Sequence, residues 1–218
     1  MDSQTVASVG SCPQVVVRPM TDSDLDAATE LHVMAFQGYM NVRLGRGYVR
    51  AMLRWFQEHP SGIAIVACLD EQVVGYTVGA PVGYDRELNQ ALWRRALASL
   101  AMRPTLLLHR DILARIRLRM RALLSAGAPA SAPAELADWM GADIHSLVGI
   151  GVAPAAQGQR IGSQLIARFE EQARRLRARG VRLSVYETNL QAHRAYERAG
   201  WRPILCPGLN YRYYVKSL

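Results

Sequence analysis

Leu147-Val148-Gly149-Ile150-Gly151-Val152-Ala153-Pro154-Ala155-Ala156-Gln157-Gly158-Gln159-Arg160-Ile161-Gly162 runs from an apolar strand through a proline turn into a glycine-spaced helix start. Leu147 to Val152 has the continuous apolar character of a buried strand, and Pro154 breaks it. A helix then runs from Ile161 to Arg179, with Leu165, Ile166, Phe169, Ala173 and Leu176 at helical spacing and Gly180 as its C-cap. The first N–H groups of such a helix have no intrahelical partner and carry the positive end of its dipole. Glycines at its start let a ligand approach the backbone, so the segment reads as an anion site suited to a diphosphate. A glycine-rich turn without a ligand is the plain alternative. Gly149-Ile150-Gly151 lacks the third glycine of a dinucleotide fingerprint and lies too early to open the helix, and no Gly-Lys-Ser/Thr triplet for a P-loop occurs.

Outward from this segment the chain alternates strands and helices. Val15 to Pro19 is a strand stopped by proline, and Thr21 to Asp24 offers capping oxygens for a helix through Phe36. A second helix spans 44–57. Ile63 to Leu69 and Val73 to Val78 form an antiparallel hairpin around Asp70-Glu71-Gln72. Beyond the glycine-spaced helix come a strand from Val181 to Tyr186, a helix from Gln191 to Ala199 and a last strand from Tyr211 to Val215. Residues 82–140 interrupt the rhythm: two arginine-rich helices are expected near 86–101 and 105–124, followed by an Ala/Ser/Pro/Gly connector over 125–133. Residues 1–13 read as a flexible tail.

Composition narrows the class. The 218 residues are 50% hydrophobic and 20% charged, as expected of one globular domain with a core. No apolar run is long enough to cross a bilayer, and no leader pattern precedes Pro13. Cys12, Cys68 and Cys206 form neither a disulfide framework nor a metal pair, which fits a reducing cytoplasm. The histidines show no metal-ligand spacing, so no metal is expected. The formal charge is +8, and of 26 basic residues only Lys216 is lysine, an arginine bias that fits a GC-rich bacterial coding sequence. Residues 155–218 hold 12 basic and 4 acidic side chains, so the excess surrounds the proposed anion turn.

Val152-Ala153-Pro154-Ala155-Ala156-Gln157-Gly158-Gln159-Arg160-Ile161-Gly162 resembles the acetyl-CoA motif of the GCN5-related N-acetyltransferase superfamily, Arg/Gln-x-x-Gly-x-Gly/Ala after Val-x-Pro-x-x. Arg160 stands where the family has its middle glycine; with a helical backbone its N–H would still face a diphosphate, and its side chain adds charge. Asn189-Leu190-Gln191-Ala192-His193-Arg194-Ala195-Tyr196-Glu197-Arg198-Ala199-Gly200-Trp201 resembles the family's second motif, Asn-x-x-Ala-x-x-x-Tyr-x-x-x-Gly-Phe. The resemblance implies one α/β domain over 14–218. Its mixed, mostly antiparallel sheet would be flanked by helices and splayed between the fourth and fifth strands. It does not cover 82–140, which reads as a helical insertion between the third and fourth strands.

By the same resemblance, acetyl-CoA is the acyl donor. It would be held by Ile150, Gly151, Val152, Gln157, Gly158, Gln159, Arg160, Ile161, Gly162, Ser163 and Asn189, with pantetheine between the splayed strands. Tyr196 matches the family's general acid for the departing thiolate, and a phenol suits that proton transfer. Packing of a core or cofactor-facing tyrosine is the simpler role. For the base, Asp143, His145 and Glu187 are candidates, as is a water relay. Simple alternation puts Ser146 and Val148 on the face of Ile150 and Val152, so His145 faces away unless a bulge intervenes.

Ala35 to Tyr48 would occupy the acceptor side, and its Phe36, Gly38, Leu44 and Gly45 resemble acetyltransferases of bacterial polysaccharide clusters, which points to an amino sugar. The expectation is therefore acetyl transfer to a primary amine of a small molecule. The alternatives are a protein N-terminus or lysine as acceptor, or a non-catalytic acyl-CoA-binding regulatory domain. No nucleic-acid motif appears, no integral membrane association is expected, and a homodimer is open.

Overall fold

The structure, a computed structural model, describes residues 14–101, 134–206 and 208–218. The expected tail, the helix near 105–124 and the connector over 125–133 lie outside these residues. Seven strands are described: β1 (Val15–Pro19), β2 (Ile63–Leu69), β3 (Gln72–Pro81), β4 (Ile144–Val152), β5 (Gly180–Tyr186), β6 (Arg202–Ile204) and β7 (Tyr211–Ser217). They form one sheet in the order β1-β2-β3-β4-β5-β7-β6. Every neighbouring pair is antiparallel except β4 and β5. The helices are α1 (Leu25–Ala35), α2 (Met40–Arg43), α3 (Arg46–Glu58), α4 (Tyr84–Ala101), α5 (Ala134–Ala137), α6 (Ile161–Arg175) and α7 (Leu190–Arg198).

Two apolar cores cover the two faces of the sheet. On one face α6 sends Leu165, Ile166 and Phe169 onto Ile63, Ile65, Leu147 and Leu183, with Tyr196 of α7 joining them. On the other, Leu25 and Leu31 of α1, Leu53 and Phe56 of α3 and Leu88 of α4 pack on Val66, Tyr76 and Val78. Leu25, Leu53, Phe56, Leu165 and Phe169 are completely buried, and burial of each contributes roughly 1.5–3 kcal/mol.

The feature that positions the site is where β4 and β5 part. Their parallel pairing covers only Ile144, His145 and Ser146 against Gly180, Val181 and Arg182. Just beyond it β4 carries a bulge: Gly79 faces Leu147 while Val78 faces Gly149, leaving Val148 as the extra residue. A bulge bends its strand and shifts the alternation of faces. Leu147, Ile150 and Val152 accordingly pack on the α6 side, and Val148 on the α1 side. This corrects simple alternation, which grouped Val148 with Ile150 and Val152.

Smaller corrections have local causes. The helix expected over 44–57 is α3, which begins two residues later because Gly45, at φ 98°, is its N-cap, and the short α2 precedes it. The hairpin turn is the two-residue Asp70-Glu71, both left-handed, and Gln72 already pairs with Leu69. Helix α6 ends at Arg175, not Arg179, and Gly180 does not cap it. It opens β5, where a side-chain Cβ would stand 2.6 Å from the Trp139 ring and 2.9 Å from the Lys216 carbonyl oxygen.

Candidate active site

Because β5 turns away after Arg182, the β5-facing edge of β4 from Leu147 to Val152 has no strand partner among the described residues. A slot of about 330 Å³ opens along it. Ile150, Gly151 and Val152 line its edge, Leu31, Met34, Ala35, Phe36 and Tyr39 its α1 wall, and Ile166, Ala192, Ala195 and Tyr196 its α6–α7 wall. Since α1 and α6 cover opposite faces of the sheet, the slot is walled from both faces. A second cavity of about 780 Å³ continues it along α6 and α7, sharing Val152, Gln157, Gly162, Ile166, Gln191 and Ala195.

The larger cavity meets the start of α6. Gly158, Arg160, Ile161, Gly162 and Ser163 line it, with Arg198 and Lys216 opposite. Among the described residues no side chain caps this helix, which leaves its first N–H groups without a side-chain partner. Gly158 takes φ 83°, and a Cβ at Gly158 or Gly162 would meet nothing within 4 Å. Arg160, at φ 60° and ψ 14°, is left-handed rather than helical, which corrects the expectation above and explains why a glycine suits this position. An uncapped helix start beside two guanidinium groups fits a diphosphate, and the unpaired edge of β4 fits an amide-bearing chain such as pantetheine.

Among the expected cofactor residues, Ile150, Gly151, Val152, Gln157, Gly162 and Asn189 line the slot, and Gly158, Arg160, Ile161 and Ser163 the larger cavity. Gln159 lines neither. Asn189 caps α7, its Oδ1 accepting from the Ala192 N–H at 3.1 Å. Tyr196 projects from α7 and is 5% exposed. Burial, helped by the nearby Tyr39 phenol, pushes its pKa well above the ordinary value, so it stays protonated at any working pH.

The structure does not bring the three candidate bases to the slot. Glu187 is clamped by Arg212, whose Nε donates to Oε1 at 3.1 Å while a terminal nitrogen donates to Oε2. That pairing holds the carboxyl below its usual range. His145 lies at the closed end of β4, where its Nε2 is 3.3 Å from the Ser61 carbonyl oxygen. Burial lowers its pKa. Asp143 is paired with Arg179 at 2.7 Å. Among the described residues, the titratable side chains that line the slot are the phenols of Tyr39 and Tyr196.

One buried group was not anticipated. His32 of α1, 3% exposed, sits behind Gly149 against Tyr76. The Val42 N–H donates to Asn41 Oδ1 at 2.9 Å, so the Asn41 amide nitrogen faces His32 Nε2 at 2.8 Å and donates to it. Nδ1 therefore carries the ring proton and donates to the Tyr76 hydroxyl at 2.6 Å. With its pKa down to about 4 through burial and Nδ1 already protonated, His32 is a buttress and not a base for the slot. No local pattern marks it, because His32 and Tyr76 are 44 residues apart.

Residues 130–201, a third of the chain, match the model described as "Acetyltransferase (GNAT) family". Over 66 residues the chain is 44% identical to aminoalkylphosphonate N-acetyltransferase of Salmonella typhimurium, a match spanning 30% of this chain and 40% of that enzyme. The fold is similar to that of SsHAT, with a TM-score of 0.63 at 23% identity, covering 94% of this chain and 98% of that one, and to that of PaiA N-acetyltransferase of Thermoplasma acidophilum in complex with coenzyme A. The latter gives 0.58 at 10% identity, covering 94% and 99%. The resemblance to the GCN5-related N-acetyltransferases is thus carried by sequence over one segment and by fold over the described chain.

Proposed function

We propose that the protein is an acetyl-CoA-dependent N-acetyltransferase that passes an acetyl group directly to a primary amine of a small molecule. The observation that carries this is the slot itself, which is open along the unpaired edge of β4 and walled from both faces of the sheet. Direct transfer needs such an opening, because donor and amine must meet from opposite sides. The named relatives support the reading by their activities: one is an N-acetyltransferase of an aminoalkylphosphonate, and another was solved with coenzyme A.

The start of α6, with Arg160 and Arg198, would hold the diphosphate, and the edge of β4 from Ile150 to Val152 would hold pantetheine. Bound there, acetyl-CoA supplies an activated thioester. A free β4 N–H at the parting of the strands polarises a carbonyl placed against it. Tyr196, which lines the slot and keeps its proton through burial, would give that proton to the departing sulfur. With Glu187 and His145 engaged elsewhere, the amine proton leaves through water. An amino-sugar acceptor follows from the resemblance of residues 35–48; the wall described below favours a different amine.

Saturating acetyl-CoA is expected to raise the melting temperature by about several degrees. No shift would sink both this reading and that of a non-catalytic acyl-CoA-binding domain. If binding is seen, thiol release with amines separates the two. Tyr196→Phe is then expected to lower kcat about 10²-fold or more with acetyl-CoA affinity kept. Equal loss of both would reduce Tyr196 to a packing residue.

A further inference from the structure

The acceptor wall of the slot is a run of aromatic rings. His32 stacks on Phe36 with centroids 4.6 Å apart and planes at 23°. Phe36 meets Tyr39 edge to face at 5.1 Å and 89°, and Tyr39 meets Tyr186 of β5 at 5.6 Å and 70°. The rings therefore reach from the interior of α1 across the gap to the far strand. Leu31, Met34 and Ala35 complete the wall, and Met34 is 49% exposed there. Tyr39, in the same wall, is 39% exposed. Among the described residues no charged side chain lines this slot. Glu187, just after β5, and Arg212 of β7 are spent on each other.

Two physical consequences follow. Ring faces attract an ammonium and stack with an aryl body, so an amine that is apolar beyond its nitrogen is favoured at every point of the wall. A phosphonate or carboxylate body would shed water and meet no cation among the described lining residues, which costs several kcal/mol, and a polyhydroxyl body would find only the amides of Gln157, Asn189 and Gln191 and the two phenols. We infer that the acceptor is a primary amine with an aryl or otherwise apolar body, of the arylalkylamine class, and that Tyr39 is the residue that selects it. This rests on the acetyltransferase reading above. It sets this chain apart from the aminoalkylphosphonate enzyme that it matches over 66 residues.

The test is thiol release by the full chain at saturating acetyl-CoA, with 2-phenylethylamine, 2-aminoethylphosphonate and glucosamine compared at one pH. The expected kcat/KM for phenylethylamine exceeds the others by at least about tenfold. Tyr39→Ala is expected to lower it about tenfold through KM, and Tyr39→Phe to keep it within about threefold. Acetyl-CoA should raise the melting temperature of all three proteins equally. Turnover of the phosphonate or the sugar at a comparable or higher rate overturns the inference while leaving the transferase reading intact. So does a Tyr39→Ala effect that is the same for every amine. Absence of any acetyl-CoA shift in the wild type removes the underlying reading, and this inference with it.

Discussion

Replacing His32 with glutamine tests the buried network behind the slot. The imidazole is 3% exposed, and its pKa falls from 6.5 to about 4 through burial. The groups packed or bonded to the ring, Phe36, Tyr76 and Asn41, carry no charge that could offset protonation. The unfolded chain therefore takes up a proton near pH 6.5, whereas the folded chain resists until about pH 4. Stability from this group is complete above pH 7 and is lost as pH falls through that window. The full loss is about 3 kcal/mol, of which about 2 kcal/mol has gone by pH 5. His145 is shifted in the same direction, so the informative quantity is the difference between wild type and variant. Urea unfolding at pH 8 and pH 5, with the same m-value, measures it. The wild type is expected to lose about 2 kcal/mol more than His32→Gln between the two. Equal losses would refute the buried neutral imidazole, whatever the variant's absolute stability.

Three further outcomes are expected. A Cβ at Gly151 would stand 2.8 Å from Cε1 of Tyr76, whereas one at Gly149 comes no closer than 3.5 Å to any neighbour. Gly151→Ala should therefore cost about 1–3 kcal/mol in thermal or urea unfolding and Gly149→Ala clearly less; the reverse order would show that Tyr76 does not lie across β4 as described. Arg160→Gly and Arg160→Ala remove the same guanidinium, but only glycine accepts φ 60° without strain, so the glycine variant should be the more stable by about 1 kcal/mol. Matching stabilities would mean that Arg160 is not left-handed. Glu187→Gln should leave the pH–rate profile of acetyl transfer unchanged, since Arg212 holds that carboxylate away from the slot; loss of the acidic limb would restore Glu187 as the base.

The parts of this fold that the sequence made legible are those marked by local chemistry. Pro154 and the glycines after it announce a helix start, Asn189 announces another, and period-3.6 apolar positions trace α6 and α7. What stayed hidden depends on contacts between distant segments. Leu147 to Val152 is apolar throughout, so nothing in it says which side chains face which core, and the bulge at Val148 is set by the register against β3. Gly151 reads as a cofactor-binding glycine; in the fold Gly149 and Gly151 both leave room for Tyr76, and Gly151 also for Ala35. Gly180 has the look of a helix cap, but Trp139 crowds it. β6 is three residues beginning at Arg202-Pro203, too short for an alternating pattern.

The charge excess is the clearest case of a hint that changed meaning. Its concentration in residues 155–218 pointed to an anionic ligand, yet most of those cations turn out to be engaged. Arg168 and Arg175 share Glu171, Arg174 and Lys216 share Glu170, and Arg179, Arg202 and Arg212 pair with Asp143, Glu135 and Glu187. The exposed pairs among these add little stability, and none of the pairs leaves a free charge to attract a ligand. Arg160 and Arg198 differ: both line the larger cavity, and neither has a carboxylate partner among the described residues. Arg160 holds its place in a left-handed conformation that costs about 1–2 kcal/mol for a residue with a Cβ. Two unpaired guanidinium groups at an uncapped helix start match the charge of a diphosphate more closely than a surplus of eight does. The electrostatics that bear on ligand binding therefore reside in two side chains, and removing them should weaken acetyl-CoA binding where reversing several surface pairs would not.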